Sequence, residues 1–141
     1  MTLNIQKNIL LAPYTTFKIG GPAKYFSEAR SIDELRKLCS WAKEQKTPIL
    51  VLGGGSNVLI SDKGFYGLVI KIVNCKLKIE NCAVRADAGL PLAKLVLESA
   101  KKELSGLEWA MGIPGTVGGA INGNTGAFGK SMSENVKSVS V

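Results

Sequence analysis

The residues best placed to do chemistry are glycines, with no acid, base or nucleophile among them. In Pro48-Ile-Leu-Val-Leu-Gly-Gly-Gly-Ser-Asn-Val-Leu-Ile60 an apolar run passes directly into Gly53, Gly54 and Gly55, followed by Ser56, Asn57 and Val58. Consecutive glycines permit positive φ and close backbone approach, so successive N–H groups can converge on an anion. Ser56 and Asn57 add hydrogen-bonding side chains. A phosphate or pyrophosphate fits such a loop, and so does a glycine-rich turn with no ligand. Two familiar phosphate motifs are excluded: no Gly-Lys-Ser/Thr follows, and Val58 stands where the last glycine of Gly-x-Gly-x-x-Gly belongs. Val58-Leu59-Ile60 is β-forming, which predicts a loop joining strand to strand without the helix dipole those motifs use.

A second cluster runs from Gly106 to Gly129 and holds eight glycines. Gly112-Ile113-Pro114-Gly115 reads as a rigid turn, and Thr116 to Ile121, with Gly118 and Gly119 inside it, as a short helical turn against which a ligand can lie. A tightly packed crossing of backbone segments is the competing reading. A disordered linker is disfavoured by the interspersed Ile113, Val117, Ile121 and Phe128.

Around these loops the sequence places ordinary supports. Ser31, with Glu34 three residues on, predicts the N-terminus of an amphipathic helix over 31–45, with Leu35, Leu38, Cys39 and Ala42 on its buried face. Pro91 opens a second helix whose inner side carries Leu92, Leu95, Val96 and Ser99, and Gly106 lies beyond its end. Trp41 reads as packing; Trp109, just ahead of the second cluster, is read as core or as a ligand contact. Strands are expected at 23–26, 48–52, 58–60, 68–73, 77–79 and 83–86. The pattern is α+β with a mixed sheet, not a regular βαβ array.

Composition narrows the classes. In 141 residues, 45% of them apolar, every apolar run is broken well before the ~18 residues of a membrane span, and the N-terminus lacks the layout of a secretory signal. A soluble, cytoplasmic chain with no membrane partner is expected. Three cysteines without ligand spacing and no histidine argue against a metal. Cys75 and Cys82 can face each other across a hairpin, but a reduced pair of small apolar residues is the reading preferred, and no role is assigned to them. The net charge of +7 favours anionic partners, but the lysines are scattered, among them Lys24, Lys71 and Lys78, which argues against nucleic acid.

Taken in order, Thr15-Thr-Phe-Lys-Ile-Gly-Gly-Pro-Ala23, Leu52-Gly-Gly-Gly-Ser-Asn-Val-Leu59, Ala88-Gly89, Gly106-Leu-Glu108 and Gly112-Ile-Pro-Gly-Thr-Val-Gly-Gly-Ala120 resemble the UDP-N-acetylenolpyruvoylglucosamine reductase (MurB) family along essentially the whole chain. The resemblance implies an FAD-binding fold of the vanillyl-alcohol-oxidase (PCMH) type, two small α+β subdomains at 1–73 and 74–141 that hold FAD between them, the second incomplete. It implies that Gly53, Gly54, Gly55, Ser56, Asn57 and Val58 lie on the pyrophosphate. Gly89, Gly112, Ile113, Pro114, Gly115, Thr116, Gly118, Gly119 and Ile121 would line the rest of the dinucleotide.

The implied reaction reduces UDP-N-acetylglucosamine enolpyruvate, a UDP-sugar, with NADPH as hydride donor, in peptidoglycan precursor synthesis. The family's Arg, Ser and Glu are expected past Val141, so the chain alone is expected to be inactive, and the protein a monomer. This sequence departs from the family at Gly123, Thr125, Phe128 and Lys130-Ser131, on the flavin's far rim. Ser138-Val-Ser-Val141 reads as the start of a strand cut mid-domain. An FAD-dependent oxidase of the same fold class, and a non-catalytic nucleotide-binding module, are the alternatives.

Overall fold

A computed structural model describes residues 3–140. The chain divides into two units, one ending at Asn74 and the other beginning at Cys75. In the first, strands β1 (Gln6–Leu10), β2 (Pro22–Ala29), β3 (Ile49–Leu52) and β4 (Phe65–Ile72) form one sheet in the order β1-β2-β4-β3, with helix α1 (Ile32–Glu44) between β2 and β3 in sequence. β1 runs antiparallel to β2, whereas β2, β4 and β3 are parallel, so the sheet is mixed.

Alternation along β4 supplies both cores. Leu68 and Ile70 face α1 and pack with Ala29, Leu38 and Ala42. Val69 points the other way, to Leu11, Ala23, Phe26, Leu52 and Ile60. The register slips between Ala23 and Tyr25, opposite Phe65 to Leu68. Gly67 lies in that slip, where a Cβ would sit 2.3 Å from the Pro48 carbonyl oxygen.

α1 begins where Ser31 caps it, its hydroxyl accepting from Glu34 N at 3.2 Å. The Glu34 carboxylate accepts from Arg30 N at 2.7 Å, one residue earlier than a capping box requires. Cys39, expected on the buried face, is exposed; Trp41 takes up packing instead, edge-on to Tyr25 at 5.0 Å between ring centroids. The strand expected at 58–60 is absent. Ile60 is buried and Leu59 78% exposed, so the alternation is real, but the ladder place beside β3 belongs to the longer β4. The loop does lead from strand to strand, from β3 to β4, with no helix between.

In the second unit, β5 (Leu77–Glu80) and β6 (Ala83–Ala86) form an antiparallel hairpin turned by Asn81 and Cys82, both at positive φ. Such a pair of residues suits the tight primed turn of a hairpin. The facing of Cys75 and Cys82 is overturned: Leu77 pairs with Ala86, so Cys82 sits in the turn while Cys75 precedes the hairpin's open end. Both are free and exposed, as is Cys39.

Helix α2 (Leu92–Lys101) buries Leu92, Leu95, Val96 and Ser99, as its spacing predicts. Helix α3 (Val117–Asn122) and a second small hairpin, β7 (Gly126–Ala127) with β8 (Lys130–Ser131), follow. Their core joins Leu90, Leu92, Leu95, Val96, Trp109, Ala110, Val117, Ala120 and Met132. The strand expected from Ser138 does not form at 138–140, and Val141 lies outside the described residues.

Candidate functional site

The first glycine loop leaves β3 at Leu52 and is fixed at its first and third glycines. The Gly53 carbonyl accepts from Lys71 Nζ at 3.3 Å, and the Gly55 carbonyl accepts from Thr16 N at 2.9 Å. Gly55 has φ +69°, and a Cβ there would lie 2.0 Å from the Tyr14 carbonyl oxygen. Its glycine is therefore demanded by the fold, whatever the loop binds. Gly54, between the two, is exposed, and among the described residues no hydrogen bond engages Gly54 or Asn57. Ser56 is half-buried and Val58 packs on the core below. The loop thus combines a pinned frame with an outward backbone edge.

The second region is built by an antiparallel crossing. Leu92 N donates to Gly115 O at 3.0 Å, Val117 N to Leu90 O at 2.8 Å, and Gly118 N to Ala88 O at 2.8 Å, with a bridge between Pro91 and Thr116. This draws Gly89 onto one short ladder with Gly115, Thr116 and Gly118, which follow it well along the sequence. Thr116 is buried and caps α3, its hydroxyl accepting from Gly119 N at 3.4 Å. Ile113 and Ile121 turn their side chains toward the core. Pro114 is exposed and Ile113 N closes a turn onto Ala110 O at 3.1 Å.

The glycines fall into two kinds. A Cβ on Gly118 would meet the Ala88 Cβ at 2.7 Å, so the crossing itself requires that glycine. A Cβ on Gly112 would meet nothing within 4 Å, and on Gly119 only Thr116 Oγ1 at 3.5 Å. Both positions are exposed. No neighbour within the chain demands their missing side chains, and the bare backbone they leave suits a flat group laid against it. The residues present therefore fit a dinucleotide.

Trp109 is only 7% exposed, and its indole N–H donates to Gly106 O at 3.0 Å and Asn135 Oδ1 at 3.2 Å, which makes it a core residue. Beside it, Glu108 is held below the ordinary carboxylate range by hydrogen bonds from its own backbone N–H and that of Gly106, with Lys130 adding attraction. Lys71 and Thr16, which fix the first loop, are marked for that role by no local motif. The available signal was a lone lysine in the otherwise apolar run Leu68–Val73.

Residues 23–141 match the family model of the FAD binding domain, and the chain belongs to that family. Within it, the similarity is to MurB-type proteins. A protein of Acaryochloris marina named UDP-N-acetylenolpyruvoylglucosamine reductase is 49% identical over 128 residues, 89% of this chain and 42% of its own length. The crystal structure of UDP-N-acetylenolpyruvylglucosamine reductase (MurB) from Thermus caldophilus superposes with a TM-score of 0.76 at 34% identity, covering 94% of this chain and 46% of that one. A cholesterol oxidase from Brevibacterium sterolicum shares the fold alone, with a TM-score of 0.59 at 14% identity over 89% of this chain and 24% of its own. The fold class expected from the sequence, α+β of the vanillyl-alcohol-oxidase FAD-binding type, is the one found. The chain spans less than half the length of the curated relatives it matches.

Proposed function

We propose that the protein carrying this chain is an FAD-dependent reductase that converts UDP-N-acetylglucosamine enolpyruvate to UDP-N-acetylmuramate with NADPH, and that residues 1–141 supply its cofactor-binding framework. The observation that carries this is the bare backbone at Gly112 and Gly119, whose missing side chains no neighbour within the chain requires. The names of the relatives supply the substrate class.

In this reading Gly53 to Val58 hold the pyrophosphate through backbone N–H groups, with Ser56 and Asn57 orienting it. Gly89 and the run from Gly112 to Gly119, with Ile121, lie along the rest of the dinucleotide. FAD, when bound, supplies the hydride-transfer chemistry. The chain's part is to place it and keep water off one face. Residues 1–141 alone bind cofactor without turning over substrate.

The test is to express the longest natural reading frame containing this sequence and follow NADPH absorbance with and without UDP-N-acetylglucosamine enolpyruvate. NADPH consumption that requires the enolpyruvate supports the proposal. Retained flavin that NADPH does not reduce moves the assignment to an oxidase of the same fold, and a product without flavin overturns both.

A further inference from the structure

We infer that Lys71 is the positioning residue of the first glycine loop, setting its entry for a diphosphate and supplying the positive charge that the loop otherwise lacks. The inference rests on the FAD reading above and concerns a residue outside the glycine motif. Three observations converge on it. Lys71 is the ladder partner of Leu52, the last residue before the loop, and from there its Nζ reaches the Gly53 carbonyl at 3.3 Å. The same ammonium lies 5.5 Å from the centroid of the Tyr14 ring, and Tyr14 is the residue whose carbonyl Gly55 packs against. One side chain therefore ties the loop's first residue to the wall that receives its third glycine.

The charge is also unspent. Lys71's ladder partner on the other side, Glu28, is paired with Arg30 at 2.6 Å, and among the described residues Lys71 is in no ion pair. An ammonium has three donors, and a half-buried one facing a carbonyl and a ring keeps its field for a nearby anion. The loop leads to β4 without a helix, so no helix dipole serves that purpose.

The test measures FAD affinity of the apoprotein, made from the longest natural reading frame containing this chain, across a salt series for wild type, K71M, K71Q and K71R. K71M is expected to raise the FAD Kd about ten-fold at low ionic strength, the loss typical of a charge-assisted hydrogen bond. Its dependence on salt should flatten, because the screened charge is gone. K71R should restore both affinity and salt slope. K71Q keeps a donor without the charge, and should lose the slope even if K71M does not fold. An unchanged Kd and slope in the neutral variants overturns the assignment, as does a loss equal at every salt concentration. A wild-type protein that binds no FAD overturns the functional reading itself.

Discussion

Gly118 N donates to the Ala88 carbonyl at 2.8 Å, and the two backbones lie so close that a Cβ on Gly118 would stand 2.7 Å from the Ala88 Cβ and 3.0 Å from its carbonyl oxygen. This contact closes the crossing that carries Gly89, Gly115 and Thr116. The crossing is backbone against backbone, so a side chain cannot be admitted by a rotamer change.

Gly118→Ala is expected to destabilise the chain by about 1–3 kcal/mol, the usual cost of overpacking. Thermal unfolding followed by circular dichroism reads it directly. Adding Ala88→Gly removes the Cβ–Cβ contact but not the carbonyl contact, so the double variant should recover part of the loss and not all of it. A single variant as stable as wild type would show that the segments separate freely.

Gly112→Ala should behave in the opposite way. With nothing within 4 Å of the new methyl and no positive φ to strain, stability should change by no more than about 0.5 kcal/mol. Flavin retention should fall, because the methyl projects where the cofactor is proposed to lie. Equal retention by the variant and wild type would remove Gly112 from the binding surface.

Gly55→Ala tests the first loop. At φ +69°, with the Tyr14 carbonyl oxygen 2.0 Å from the added carbon, the substitution combines backbone strain with a clash, and a cost of about 2–4 kcal/mol is expected. Protease resistance near residues 14–16 and 53–57 should drop with it. Unchanged unfolding would mean that the loop is not held as described.

How much of this was legible follows from what each residue signals locally. Helices α1 and α2 were readable because Ser31 and Pro91 mark their starts and the apolar spacing marks their inner faces. β1 was not, since four of its five residues are exposed and Gln6-Lys7-Asn8 carries no alternation; it is an edge strand held by pairing with β2. The stretch 58–60 has strand chemistry but lost its ladder place to β4, a competition that only tertiary pairing decides. The glycine clusters announced a site, yet the sequence does not distinguish Gly55 and Gly118, fixed by packing, from Gly112 and Gly119, left open. That division depends on which backbone segments cross, and Tyr14 and Ala88 stand well away in sequence from the glycines they constrain.

Trp109→Phe isolates a polar tie in the second core. The ring volume is largely kept, but the indole donor to Gly106 O and Asn135 Oδ1 is lost, and the half-buried Gly106 carbonyl is left without it while water serves the exposed Asn135. A destabilisation of about 1–3 kcal/mol is expected. In the wild-type protein the indole N–H should exchange slowly with deuterium; fast exchange would contradict these hydrogen bonds.

Glu108 gives a pH signature of defined sign. Its own backbone N–H and that of Gly106 hold its carboxylate below the ordinary 4.5 in the folded chain, while the unfolded chain titrates near that value. The folded state therefore binds this proton less readily, so the stabilisation is fully present above about pH 4.5 and is lost as pH falls through the lower folded value. Glu108→Gln removes the titration while leaving an acceptor for Gly106 N. The melting temperature of wild type should exceed that of the variant at neutral pH, and the gap should narrow as pH drops below 4.5. Glu98, also held low by its hydrogen bond to Lys101, is common to both proteins and cancels in the comparison. A gap that stays constant from pH 7 down to about pH 3 would show that the charge on Glu108 contributes nothing to folding, and that its link to Gly106 is made equally well by a neutral acceptor.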